Sequence, residues 1–139
     1  RSVMRQVCTT RQTLGLHTCA NVVCGTEGEA TAVLLRSGAV VEGVDAARSR
    51  RLTSKSDADL ARGPARLAVA LGIVLGDNGA RLGDLFRLDL PPHPVVDVST
   101  GPRTGVSGAG GSHDYPWRFW IPGDPTVSPY KKSVLKKRS

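Results

Sequence analysis

Several groups of residues in this chain have side chains capable of chemistry. His17, Cys19 and Cys24 are types that bind zinc. Their spacing argues against it. In a strand, Cys19 and Cys24 are five residues apart and face opposite sides of the pleat, and a structural zinc needs four ligands where no second pair is present. Cys19 therefore reads as a small core residue. Ser112, His113 and Asp114 bring together the residue types of a hydrolytic triad, but as successive neighbours in a loop and without a G-x-S-x-G elbow. They read as a polar turn. The stretches "GAGG" and "GDNG" lack the G-x-x-x-x-G-K pattern and the strand-to-helix context of a phosphate-binding loop. Arg103 and Thr104 stand differently, between Gly101-Pro102 and Gly105. Small neighbours let a backbone approach a ligand closely, and an Arg there can hold a phosphate or a polar base edge. The same residues also suit a flexible surface loop.

The elements that position these groups follow from pattern. Residues 1–14 are polar, without clear period, and read as loop. "LHTCANVVC" at 16–24 and "ATAVLLRS" at 30–37 suit strands, and the intervening "GTEGE" makes them a β-hairpin. "GAVVEGVDAARSRR" begins as a short strand and becomes a helix over 44–51. "SKSDADLARGPARLAVALGI" is the clearest helical region, with Pro64 in the first turn, Gly72 as stop, and Leu67, Leu71 and Val74 at i, i+4 and i+7. "LPPHPVVDV" is extended and linker-like. The last element is a strand over 117–121. Trp117 and Phe119 alternate onto one face and are expected to fill the core, with Arg118 and Trp120 on the other.

Composition bounds the rest. The 139 residues suffice for at most one ordinary domain. With 40% hydrophobic and only 4% aromatic residues, the core must be built from Val, Leu and Ala. The net charge of +7 is largely a property of the tail: without Lys131, Lys132, Lys136, Lys137 and Arg138, 14 basic residues face 12 acidic ones. A clustered basic tail fits phosphate contact and also serves as a solubilising end. Three cysteines, an odd and low count, argue against a disulfide framework and fit a reducing compartment. No apolar run approaches the ~20 residues that span a bilayer, and the first residues form no signal peptide. The expected location is cytoplasmic (the bacterial nucleoid) or nuclear, not secreted. The first residue is Arg rather than Met, as in a fragment or processed product.

Five stretches in register then point one way. "GLHTCANVVC", "AVLLRSGAVVEG", "LARGPARLAVALGI", "GPRTGVSGAG" and "PWRFWIPGDPTVSPY" together resemble the 3-methyladenine (alkyladenine) DNA glycosylase family, over residues 15–130. The resemblance implies an α+β fold: a single domain with a curved antiparallel sheet, short flanking helices and a β-hairpin protruding into the minor groove. It implies a monomer that acts on double-stranded DNA containing a damaged purine, flips that base out of the stack and hydrolyses its N-glycosidic bond with an activated water. Extrusion of a base costs a few kcal/mol. No metal or other cofactor is implied, and no membrane. The lesion stays open among 3-methyladenine, 7-methylguanine, hypoxanthine and ethenoadenine.

By the same resemblance, Asn21 matches a residue lining the base pocket. Arg36 matches one that holds the target nucleotide and the water. Thr104 matches a position whose backbone reaches that region, and Arg103 matches the Arg opening the family's "R-x-G-V" loop, a DNA-contacting candidate; Lys131 and Lys132 are DNA-contacting candidates by the charge of the tail. Leu14 stands at the position that wedges into the duplex, as apolar side chains can, and Arg11 at a position where the family stacks an aromatic. The catalytic Glu of the family lies in a "V-E-x-E-A-Y"-like segment upstream of the hairpin, with no counterpart in these residues. The chain is accordingly expected to comprise a non-matching segment at 1–14, a partial glycosylase domain at 15–130 and a basic tail at 131–139. It is read as a truncated or frame-altered member of the family. The alternatives are a DNA-binding remnant without catalysis, or a fragment that folds poorly.

Overall fold

A computed structural model describes residues 6–11 (as backbone), 17–26, 28–29, 31–106 and 108–130. Leu14, Lys131 and Lys132 lie outside the described residues. The architecture is mixed α+β with small antiparallel sheets, as expected. The chain divides into two units, Arg1–Leu90 and Pro91–Ser139. The division falls in the proline-rich stretch expected to be a linker.

The first unit is organised by a three-stranded sheet in the order β1 (Gln6–Arg11), β2 (Thr18–Val23), β3 (Ala32–Leu34). β2 and β3 form the expected hairpin, with Asn21 opposite Leu34 and Val22 opposite Val33. β1 corrects the reading of the first residues as loop. Gln6–Arg11 pair along their whole length with β2, from Gln6 opposite Val23 to Arg11 opposite Thr18. The alternation Val7, Thr9 with Cys8, Thr10 is too polar to announce a strand. What forms it is the free edge of β2, whose backbone groups must be satisfied if β2 is to be buried.

β2 is buried on both faces. Ala20 belongs to a core with Ala47, Leu60, Ala61, Leu67, Ala68, Ala70 and Ile73. That core is built from α1 (Val44–Arg50), α2 (Asp57–Leu60) and α3 (Pro64–Leu71). The small Ala side chains let α3 lie close on β2. α3 begins at Pro64, as expected, and ends in a Schellman arrangement: Ile73 N–H donates to Ala68 O at 2.8 Å and Gly72 N–H to Val69 O at 3.0 Å. Gly72 has φ +70°, a conformation that costs a side-chain-bearing residue energy.

Two expectations fail here. Leu71 and Val74 are exposed, and the buried stripe is Leu67, Ala68 and Ala70 with Ile73. The turn at Gly72 rotates the chain, so helical spacing does not carry through to Val74. The short strand expected at the start of "GAVVEG" does not form; just ahead of it, Ser37 makes a single bridge to Arg62.

The arginine run before and at residue 51 is spent within the unit. Arg48 pairs with Asp57 at 2.5 Å, Arg50 Nη1 donates to Ala70 O at 3.0 Å, and Arg51 Nε donates to Leu60 O at 3.2 Å. The last two cover carbonyls near helix C-termini that have no partner inside the helix.

The second unit is a two-stranded antiparallel sheet, β4 (Ser99–Gly101) against β5 (Arg118–Trp120), with Gly101 opposite Arg118. Alternation along β5 is as expected, but the faces are exchanged. Trp117 and Phe119 are 59% and 62% exposed, while Arg118 is only 5% exposed. The cause is the company Arg118 keeps. Its guanidinium lies over the Trp120 ring at 4.2 Å and the Tyr130 ring at 5.3 Å, and Nη2 donates to Ser128 O at 3.4 Å. Two π faces and a carbonyl make burial of this cation tolerable. A turn after β5 is held by Asp124, whose carboxylate accepts from Thr126 Oγ1 at 2.6 Å and Thr126 N–H at 2.8 Å.

Two outcomes follow from this packing. Leu60 is fully buried, so Leu60→Ala should lower unfolding free energy by about 2–5 kcal/mol, read from the urea midpoint at unchanged slope. The Thr126 hydroxyl, and then its N–H, hold the Asp124 carboxyl below its ordinary 3.8. A depressed carboxyl stabilises the folded chain above that value and stops doing so as pH falls through the folded one. The Tm gap between the parent and Asp124→Ala should thus be full at neutral pH and shrink as pH drops below 3.8.

Candidate functional site

The expected site residues that the structure describes are Asn21 and Arg36 in the first unit and Arg103 and Thr104 in the second. Asn21 sits at the centre of β2, 8% exposed, with Cys8 opposite it on β1 and Leu34 on β3. Pleating decides where its side chain goes. Ala20 and Leu35 turn toward the helical core. Cys19 and Asn21, one residue away from Ala20 on either side, occupy the other face. Cys19 is buried there as the small residue expected.

Arg36 reaches the same face by register. The ladder runs past the end of β3, since Leu35 N–H donates to Ala20 O at 3.0 Å. Leu35 packs on the core side, so the next residue, Arg36, lies on the side of Asn21. Asn21 and Arg36 are far apart in sequence and come to one sheet face only because β2 and β3 pair antiparallel in this register. Asn21 is buried and Arg36 half-buried. A carboxamide and a guanidinium on one sheet face can read a base edge and clamp an anion.

In the second unit Arg103 and Thr104 follow β4. The expected glycine-rich loop is folded on itself rather than open. Arg103 Nε and Nη2 both donate to Gly110 O, at 3.1 and 2.8 Å, and its guanidinium lies 5.4 Å from the Trp117 ring centre. Gly111 passes so close to the loop's start that a Cβ there would sit 2.1 Å from Val106 O. Arg103 therefore holds its loop in shape. Thr104 Oγ1 is buried and, among the described residues, finds no hydrogen-bond partner. The "GSHDYP" stretch is the polar turn expected, closed by Ser112 Oγ on Asp114 Oδ2 at 3.2 Å and by Asp114 N–H on Ser112 Oγ at 3.3 Å. His17 is exposed, and no group of three or more His, Cys, Asp or Glu able to hold a metal ion occurs among the described residues.

Sequence reasoning missed Arg118 as the organiser of the second unit. The aromatics at Trp120 and Tyr130, on either side of a turn, were the available signal. It also missed the exposure of Trp117 and Phe119.

Comparison with known proteins gives this arrangement a context. Residues 7–125 match the Methylpurine-DNA glycosylase family. The match begins ahead of Gly15, inside β1. A protein of Leifsonia xyli subsp. xyli, named by inference a 3-methyladenine DNA glycosylase, is 55% identical over 125 residues, covering 86% of this chain and 58% of its own length. Similarly named proteins of Streptomyces avermitilis and Nocardia farcinica are 50% and 51% identical, covering 91% and 86% of this chain and 61% and 57% of their own length. The chain thus spans about three-fifths of the length of these curated relatives. A match that takes in β1, the β2–β3 hairpin, the helices and both strands of the second unit is decisive: this chain belongs to the methylpurine-DNA glycosylase family.

Proposed function

We propose that this chain serves base excision repair by holding a damaged purine nucleotide of double-stranded DNA for hydrolysis of its N-glycosidic bond. The observation that carries this reading is that Asn21 and the residue Arg36, just past β3, share one face of the β2–β3 ladder, in a chain of this family.

The chemistry divides into holding and hydrolysing. A purine stacked in duplex DNA is out of reach, so it must be extruded, at a cost of a few kcal/mol. The extruded base then needs new partners. The Asn21 carboxamide offers both a donor and an acceptor for a base edge, and the Arg36 guanidinium presents a fork that fits a phosphate. In the second unit, Thr104, with its orphaned hydroxyl, and Arg103 remain the candidates that the family resemblance gives. Leu14, Lys131 and Lys132 remain candidates for duplex contact.

In the bond-breaking step, water oxygen attacks C1′ and the C1′–N9 electron pair leaves with the purine. A ring-methylated purine carries a positive charge and departs neutral, which makes it the better leaving group. The water proton must go to a base, and general base catalysis contributes about 10²–10⁴-fold. Neither Asn21 nor Arg36 can accept it, because a carboxamide is not basic and a guanidinium stays protonated. The carboxylate expected from the family resemblance supplies that role. The same fact favours a second reading, in which these residues by themselves bind damaged DNA without cleaving it.

Titration of the chain with methylated and unmethylated duplexes over a range of salt tests the proposal. The methylated duplex should bind more tightly. In Arg36→Ala the slope of log affinity against log salt should fall by about one, as expected for one lost phosphate contact. Equal affinity for both duplexes would overturn the reading. Chromatography of the supernatant for free methylpurine then separates hydrolysis from binding alone.

A further inference from the structure

Arg103 opens the loop that follows β4, yet its guanidinium faces the protein. Nε and Nη2 both donate to Gly110 O, at 3.1 and 2.8 Å, and Cζ lies 5.4 Å from the Trp117 ring centre. The support behind it is fixed. Tyr115 packs edge-on against the Trp117 indole with ring centres 5.1 Å apart, and Trp117 makes a bridge to Gly101, two residues ahead of Arg103. The glycines admit this closure. A Cβ on Gly110 would lie 2.8 Å from Arg103 Nη2, and one on Gly111 would overlap Val106 O. The glycine-rich sequence thus wraps the backbone onto one arginine.

The next residue carries a group that the fold leaves without use. Thr104 Oγ1 is buried and, among the described residues, has no hydrogen-bond partner. A hydroxyl shut away from water and unpaired costs the folded chain stability, and a valine of the same shape would avoid that cost. A polar atom of a ligand gives such a hydroxyl its partner. Phosphate binding is the competing role for Arg103. It needs the guanidinium fork to be open to the phosphate, and two of its three nitrogens are taken by Gly110 O.

We propose that Arg103 is a positioning residue: it latches the loop through Gly110 and Trp117 so that the Thr104 hydroxyl meets a polar atom of the held purine nucleotide, and it does not itself grip a phosphate. The fork explains why the residue is an arginine. A lysine keeps the charge but is a point donor, without a plane to stack on the indole. The proposal rests on the base-holding reading above.

Arg103→Lys, Arg103→Ala, Thr104→Val and the double variant Arg103→Ala with Thr104→Val, each in the full chain, are compared with the parent by amide hydrogen exchange and by titration with methylated and unmethylated duplexes. In the free chain both Arg103 variants should exchange faster at Gly111 and Ser112, whose N–H groups donate inside the latched turn, while the amides of β2 keep parental protection. On DNA, both Arg103 variants and Thr104→Val should lower the preference for the methylated duplex by about fivefold, the size of one net hydrogen bond. The double variant should lose no more than either single one, because both remove the same contact. The slope of log affinity against log salt should stay parental throughout. Parental exchange or parental preference in Arg103→Ala would overturn the proposal, and so would a double variant that loses the sum of the single effects. A slope lower by about one in Arg103→Ala and restored in Arg103→Lys would overturn it too, as the mark of a phosphate contact. A parent that binds both duplexes equally takes down the base-holding reading and this proposal together, whereas a parental preference that the Arg103 variants leave untouched takes down the proposal alone.

Discussion

The burial of β2 on both faces is the constraint from which the first unit follows. A strand buried on both sides must pair its backbone along both edges. β1 and β3 supply the partners, and this explains why a polar stretch such as Gln6–Arg11 is drawn into the sheet. The strand must also be narrow enough for helices to approach. Ala20 meets that need on the helical side, and the alanines of α1 and α3 in the same core continue it. The polar member of the buried run, Asn21, has the side chain suited to a ligand. Register then delivers Arg36 to the same face. Scaffold and candidate site are therefore one arrangement: moving the β2–β3 pairing by one residue would turn Arg36 toward the helical core.

The second unit obeys a different logic. It is too small and too poor in aliphatic residues to bury a hydrophobic face. It gathers instead around a cation. Arg118 lies between the rings of Trp120 and Tyr130, and Arg103 closes its loop on Gly110 while resting on Trp117. Guanidinium groups suit this task because they are planar, stay charged, stack on rings and donate at several points. Their use in packing is what leaves Trp117 and Phe119 outside.

The charge of the chain is likewise divided by tertiary structure. Arg48, Arg50, Arg51 and Arg66 all count toward the positive charge of the chain. In the fold they bind Asp57, Ala70 O, Leu60 O and Asp59 respectively. Arg50 and Arg51, which donate to carbonyls at helix ends, are poorly available to a polyanion. A count of positive charges cannot make this distinction, because it depends on which carbonyls and carboxylates each side chain can reach.

Local chemistry determined much of this protein from sequence alone. The β2–β3 hairpin, the start of α3 at Pro64 and its stop at Gly72, the linker at the unit boundary, the polar turn at 112–114 and the strand near 118–120 all rest on turn propensity, fixed φ or short-range periodicity. Those forces act within a few residues. The family resemblance was equally legible, and with it Asn21 and Arg36 as candidates. Tertiary structure decided what depends on distant partners. β1 exists because β2 has an edge to satisfy. Leu71 and Val74 are exposed because the chain turns at Gly72. Arg118 is buried and Trp117 exposed because Trp120 and Tyr130 close on the guanidinium. Alternation along a strand specifies that two faces differ, but only the packing partners determine which of them turns inward.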